Sequence, residues 1–394
     1  MVFGIQRLRG RLDYLLDRRV KRGLESVKPG VRDSLRIGLY EILYMGGVPE
    51  YAAVSQAVDL AHSKGGRGVA GFANAVLRGI ARDGGGPENF PAPETHPVEF
   101  LSTWGSHPRW LVERWLTRWS SADVRKLVEA NNGVPPLSLR CLWDRPEEAV
   151  EALKARQIDA SVVGSGTGCV TIHGHASLEE AMRVVPAVVQ DPAAALVVSY
   201  IDPKPDARIA DLCAAPGGKT LALAARGNLV LAADLSIERL RLVRENLNRV
   251  REQGGRRVRV STVQADALAP PISRPDMLLL DVPCTGTGTL RRNPDVRWRL
   301  TPDRLDEMVA LQGRLLDVCA DVVPSGGVLV YATCSLEPEE NEEQIEAFMA
   351  RRPEFHMDLG EGVNGEFLND QDYLYVMPQA FGFDGAFAAR LRKA

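Results

Sequence analysis

The six cysteines, at positions 141, 169, 213, 284, 319 and 334, include no Cys-x-x-Cys pair, so their spacing suggests neither a zinc site nor a disulfide framework. No apolar run approaches the roughly 20 residues that span a bilayer. Arg7, Arg9 and Arg11 bring charge close to the N-terminus, which is not the pattern of a targeting segment. A strong overall charge is also missing, since the formal net charge is −3. The glycine-rich turn at 213–220 lacks the dinucleotide fingerprint G-x-G-x-x-G, and it is not a P-loop because Cys213 stands where that motif needs glycine. What remains reads as a soluble, cytoplasmic, metal-free chain, with a monomer as the default expectation.

A length of 394 residues suggests two or three domains, each able to bury a core. Residues 1–85 read as an all-helical domain: Leu8, Leu12, Leu15 and Leu16 fall at helical spacing, as do Leu35, Leu39, Ile42 and Leu43. Gly38 and Gly71 are expected to let helices approach closely. The first 90 residues carry more lysine and arginine than aspartate and glutamate, which suits either nucleic acid or a solvated surface. Residues 86–130 begin with a Gly/Pro-rich linker and return to helix, with Trp115 and Trp119 expected in a core. Residues 131–190 read as a small α+β insert, with strands at 137–142 and 184–189 and a helix at 147–155.

From 191 to 394 the pattern alternates strand and helix. Candidate strands are Arg208–Leu212, Leu229–Ala233, Val258–Val263, Met277–Leu280 and Val328–Tyr331. Near-continuous apolar or β-branched runs of this kind are buried parallel strands. The expected fold class is therefore α/β with a doubly wound sheet, its ligand at the carboxyl ends of the strands.

Three segments carry chemistry. The first is the turn Cys213, Ala214, Ala215, Pro216, Gly217, Gly218, Lys219 and Thr220, where strand one hands over to a helix whose N-terminus suits a polar ligand. The other two are Asp281-Val282-Pro283-Cys284 and Ala332-Thr333-Cys334-Ser335, at the ends of strands four and five. Buried cysteines are ordinarily inert, and that reading fits Cys141, Cys169 and Cys319. Cys213 is expected to pack at the turn. Two cysteines and a carboxylate beside a nucleotide-type loop fit methyl transfer to carbon 5 of a pyrimidine. That carbon is a weak nucleophile until a thiolate adds to carbon 6. Asp234, ending strand two, is placed for ribose hydroxyls or as a helix cap. Asp266, after strand three, is placed for an adenine amino group, and Asp281 faces both cofactor and base. Downstream, Arg291, Arg292, Arg297, Trp298 and Arg299 read as phosphate and base contacts, or as an exposed basic loop. The residues alone do not choose which cysteine attacks.

These segments, with Arg291-Arg292-Asn293-Pro294 and Phe383-Asp384-Gly385-Ala386-Phe387, resemble the Sun/NOL1/NOP2 family of RNA 5-methylcytosine methyltransferases. The helical region resembles a NusB-type RNA-binding domain through Arg11-to-Leu16, Glu41-Ile42-Leu43 and Asn74-to-Arg78. The combination points to the RsmB-like branch, which modifies small-subunit (16S) ribosomal RNA. The resemblance implies a Rossmann-like class I methyltransferase domain, preceded by a NusB-like domain and the small insert. It implies S-adenosylmethionine held by residues 213–219, Asp234, Asp266 and Asp281. It makes Cys334 the nucleophile and Cys284 the residue that assists proton removal and release, with Asp281 at the base and Lys219 in support. Two departures stand out. The NusB-like domain begins part-way through, as if N-terminally truncated, and Arg140-Cys141-Leu142-Trp143 stands where relatives often carry Arg-Val-Asn. The alternatives are methylation of tRNA, a non-catalytic ribosome-assembly factor and, more weakly, a DNA-modifying enzyme.

Overall fold

The leucine spacing of the first 83 residues produces five helices in the computed structural model, which describes residues 1–143, 145–164, 166–174, 176–254 and 258–394. They are α1 (Val2–Arg7), α2 (Arg9–Asp17), α3 (Pro29–Tyr44), α4 (Glu50–Gly65) and α5 (Arg67–Asp83). Three more follow, α6 (Pro97–Thr103), α7 (Arg109–Arg118) and α8 (Ser121–Asn132). Proline opens α3 and α6, where its missing N–H costs nothing and its fixed φ suits the first turn. All eight fall in one unit, Met1–Val134 together with Asn293–Arg299, so the 86–130 stretch belongs with the helices before it. Leu12, Leu16, Leu35, Leu39, Leu77 and Trp115 are fully buried. Arg36 Nε and Nη2 donate to the two oxygens of Asp13 at 2.6 and 2.8 Å, tying α3 to α2, a bidentate fork that only arginine makes. Gly38 behaves as expected, because an added Cβ would lie 2.4 Å from Ala57 Cβ. Gly71 does not: a Cβ there meets nothing within 4 Å, so its small size serves no helix contact.

The second unit, Pro135–Arg292 with Leu300–Ala394, holds two sheets. The smaller is antiparallel in the order β2-β3-β1-β4, from β1 (Leu137–Cys141), β2 (Ala160–Val162), β3 (Cys169–Ile172) and β4 (Ala187–Val189). Helices α9 (Pro146–Lys154) and α10 (Leu178–Val184) lie between them in the chain, and Leu139, Leu153, Val170, Ile172 and Ala181 form their shared core. The strand expected at 184–189 is shorter because helix intrudes. Ser177 and Glu180 form a capping box that starts α10, and β4 begins only after Pro186.

The larger sheet has the order β10-β12-β9-β8-β5-β6-β7, with β11 beside β12. Its parallel part is β5 (Arg208–Asp211), β6 (Leu229–Asp234), β7 (Arg259–Gln264), β8 (Met277–Asp281) and β9 (Val328–Thr333). These are the five strands expected, within two residues at each end. Helices α11 (Pro192–Ile201), α12 (Gly218–Ala225), α13 (Ile237–Gly254), α14 (Pro302–Val322) and α15 (Glu342–Arg351) accompany it. The C-terminal strands β10 (Phe355–Met357), β11 (Leu374–Val376) and β12 (Ala386–Lys393) are additions, with β12 antiparallel to β9. The sheet is thus mixed rather than wholly parallel. Register sets the chemistry: Asp281 pairs with Ala332 across β8 and β9, so the Pro-Cys and Thr-Cys segments leave the sheet side by side. Among the described residues, no helix is long and apolar enough to cross a membrane.

Candidate active site

The turn after β5 is a bend built by proline and glycine. The Ala215–Pro216 peptide is cis and Gly217 has φ +102°, a conformation glycine adopts without steric cost. Gly217 then precedes α12 directly. Asp234, buried at the end of β6, pins this turn by accepting from the backbone N–H of Ala215 at 3.2 Å and of Ser236 at 3.0 Å. Arg239 closes the arrangement by donating to Ala215 O at 2.7 Å. The hydroxyl of Ser236, rather than Asp234, accepts from Arg239 N in the first turn of α13, so the capping role considered for Asp234 falls two residues later.

A cavity of about 500 Å³ opens at the carboxyl ends of the strands, lined by Cys213, Ala215, Lys219, Asp234, Asp266, Asp281, Cys284 and Cys334. Of the expected cofactor residues, Ala214, Pro216 and Gly218 line an adjoining cavity, and Gly217 supplies the bend. Three carboxylates from three strand ends suit a vicinal diol, an amino group and a positively charged sulfonium. The residues present therefore fit S-adenosylmethionine. A larger cavity of about 820 Å³, which includes Arg208, Leu229, Arg251 and Arg259, touches the opening residues of β5, β6 and β7 and, among the described residues, is lined by neither cysteine nor carboxylate.

Cys284 Sγ and Cys334 Sγ are 3.4 Å apart. Their hydrogen bond, then burial, pushes the Cys284 thiol well above its ordinary value. What holds the two loops at this spacing is a buried polar network that the motifs did not reveal. Glu340, 0 % exposed, accepts from Thr285 N at 2.8 Å and from Gln312 Nε2 at 2.9 Å, and Thr285 Oγ1 donates to its other oxygen. Gln312 Nε2 also donates to Pro283 O at 2.9 Å. Thr285 Oγ1 lies 3.1 Å from Ser335 Oγ. Asn341 joins in, receiving Thr333 Oγ1 at 2.6 Å and donating to Ser335 O at 2.9 Å. Residues flanking both cysteines are thereby fixed. Gly288 completes the fit: its N–H donates to Cys334 O at 2.9 Å, and an added Cβ would come within 2.7 Å of Gly385 Cα.

Beside the thiols, Lys219 Nζ donates to Asp281 Oδ2 at 2.7 Å. Burial alone would lower the Lys219 pKa, but the Asp281 carboxylate outweighs it and the net shift is upward. Asp211, absent from the sequence reading, ends β5 behind this pair. It is 1 % exposed, accepts from Thr220 Oγ1 at 2.6 Å, and burial pushes its carboxyl up to about 7. A carboxyl raised from an unfolded value of roughly 3.9 keeps in the native state a proton that the unfolded chain gives up. Stability from this group is therefore full below about pH 4 and falls as pH rises towards 7, by at most about 4 kcal/mol. Asp384, pushed up to about 7 by burial and by Asp191, acts in the same sense. Asp211→Asn should reduce the loss of melting temperature between pH 5 and pH 8, measured by scanning calorimetry; an unchanged loss would contradict the assignment.

The arginines divide. Arg297 is 0 % exposed and donates to Ser106 O at 3.0 Å, Asn132 Oδ1 at 2.8 Å and Asn131 O at 3.1 Å. Trp298 Nε1 donates to Gln6 O at 2.7 Å. Both are structural members of the helical unit, which corrects the expectation of RNA contact at Arg297: a guanidinium surrounded by carbonyls has no face for a phosphate. Arg292 binds Asp191 at 2.5 Å and Asp384 at 2.9 Å, so its charge is matched by two carboxylates of the same unit. Arg291, half-buried, donates to Gly382 O at 3.0 Å.

Residues 198–392 match the family described as 16S rRNA methyltransferase RsmB/F, residues 1–82 match the NusB family, and residues 107–179 match the ferredoxin-like domain of RsmF/B-like methyltransferases. The chain is 32% identical over 408 residues to the probable ribosomal RNA small subunit methyltransferase B of Bacillus subtilis (strain 168), covering 100% of this chain and 89% of that protein. It is 31% identical over 409 residues to ribosomal RNA small subunit methyltransferase B of Cronobacter sakazakii, with coverage of 100% and 89%. The crystal structure of PH0851 matches with a TM-score of 0.81 at 28% identity, covering 99% of this chain and 88% of that one.

Proposed function

This chain belongs to the RsmB/F family of 16S rRNA methyltransferases, and from that premise we propose that it methylates carbon 5 of a cytosine in small-subunit rRNA, with Cys334 as nucleophile. S-adenosylmethionine, held by Asp234, Asp266 and Asp281, supplies the methyl group. Cys334 adds as thiolate to carbon 6, forming an S–C bond and moving the ring's π electrons towards carbon 5 and the ring nitrogen. Lys219 and Asp281 steady the charge at that nitrogen. After carbon 5 is methylated, its remaining proton is lost to solvent with the help of Cys284, the C5–H electron pair re-forms the C5–C6 double bond, and the S–C6 bond breaks so that Cys334 departs as thiolate. The observation that carries this reading is the pair of thiols 3.4 Å apart in the same cavity as the three carboxylates.

The test is to incubate the protein with methyl-tritiated cofactor and small-subunit rRNA, tRNA or DNA in parallel, then digest the product to nucleosides. Label should appear as 5-methylcytidine from rRNA. Label confined to tRNA or DNA would replace the substrate, and none in any of them would favour an assembly factor.

A further inference from the structure

Among the buried side-chain atoms of the described residues that have no hydrogen-bond partner, Ser138 Oγ, Gln190 Oε1, Asp211 Oδ1 and Asp384 Oδ1 lie together. Their residues are 1 %, 8 %, 1 % and 7 % exposed, and all four line one cavity of about 410 Å³. A buried polar atom without a partner is costly, and native proteins keep few of them. Several around one cavity point to a ligand. Their chemistry says which kind. An amide carbonyl wants hydrogen-bond donors, and so do the two carboxyl groups in their ionised form. The cations beside them are engaged, Lys219 by Asp281 and Arg292 by Asp191 and Asp384. Such a cavity repels phosphate and accepts N–H and O–H groups.

The cavity shares Cys213, Ala215, Lys219 and Asp281 with the cofactor cavity. From the small α+β sheet it also draws Ser138 of β1 and Gln190, the residue after β4, and neither lines the cofactor cavity. We propose that this second cavity is the subsite for the nucleoside part of the RNA substrate, with Gln190 and Ser138 receiving its amino and hydroxyl donors. Cytidine offers both, in its exocyclic amino group and its ribose 2′-hydroxyl. A volume of about 410 Å³ lies within the range of small-ligand sites. The base can then present carbon 6 to Cys334 while the rest of the nucleoside fills the cavity. The raised carboxyls of Asp211 and Asp384 fit a site whose donors arrive only with substrate. This inference rests on the proposed function and names further residues for it.

The test compares wild type with Gln190→Leu and the gentler Ser138→Ala, each checked for an unchanged melting profile. Binding of S-adenosylhomocysteine is measured by calorimetry, and methylation rates are measured against rRNA concentration. Cofactor-product affinity should stay within about twofold while kcat/KM for rRNA falls about 10- to 100-fold in Gln190→Leu and less in Ser138→Ala. Weakened cofactor-product binding with unchanged rRNA kinetics would assign the cavity to the ammonium end of the cofactor and overturn the proposal. Normal values for both in both variants would make it a water pocket, also overturning it. Should Gln190→Leu fail to fold, Ser138→Ala carries the same decision. Wild type that binds the cofactor product but methylates no RNA would instead sink the proposed function itself.

Discussion

Cys334→Ala should lower rRNA methylation by at least about 1,000-fold, because activation of carbon 5 by covalent addition at carbon 6 has no substitute in the site. The thiol sits at the end of β9, with its backbone oxygen bound by Gly288 N at 2.9 Å and its neighbours Thr333 and Ser335 fixed by Asn341. Loss of one sulfur from a half-buried position leaves that scaffold intact. The variant should therefore bind cofactor product as wild type does and melt within a few degrees of it. An activity deficit accompanied by lost cofactor-product binding would mean that the residue supports the cavity rather than the reaction. Cys284 is a weaker dependence in rate, since it acts after bond formation, and its substitution should show itself in what accumulates.

Glu340→Ala should be the next most damaging change. Its carboxylate is the common acceptor for Thr285 N, Thr285 Oγ1 and Gln312 Nε2, and burial raises its pKa. Truncation leaves Thr285 N without its acceptor, at about 1–3 kcal/mol for a buried donor left unpaired, takes one of two partners from Thr285 Oγ1 and from Gln312 Nε2, and opens a void beside both cysteine loops. The expected result is a kcat lowered about 100-fold with little change in cofactor-product affinity, since a misplacement of the order of 1 Å costs that much. Glu340→Gln keeps the shape and one acceptor oxygen, so it should recover much of the loss. Wild-type kcat in Glu340→Ala would show that the thiol spacing is set elsewhere.

The two thiols proposed to react were legible in the sequence because they stand where apolar runs stop. Pro283-Cys284 and Thr333-Cys334 interrupt two buried strands, and parallel strands announce themselves as unbroken apolar runs. The supporting network was not. Glu337 to Asn341 looks like a solvated acidic stretch, yet Glu337, Glu340 and Asn341 are each 0 % exposed. Composition cannot tell a buried, fully bonded carboxylate from a surface one, since the difference lies in residues such as Thr285 and Gln312 that are distant in the chain. Arg297 misled for the same reason: a basic run reads as a phosphate contact, while this side chain spends its donors on backbone carbonyls. Strand β12 escaped because Arg390 lies inside it, buried and paired with Asp358, which breaks the apolar pattern. Asp211 could have been flagged as a charge at the end of an apolar strand. Gln190 carried no signal beyond its position before Asp191 and Pro192.

The central claim is that Cys334 bonds to the base and Cys284 releases it. Incubating Cys284→Ala and Cys334→Ala with S-adenosylmethionine and small-subunit rRNA, then running both on a denaturing gel, tests it directly. A stable protein–RNA adduct with Cys284→Ala and none with Cys334→Ala is the predicted outcome. An adduct with Cys334→Ala and none with Cys284→Ala would contradict it, and would exchange the roles of the two thiols.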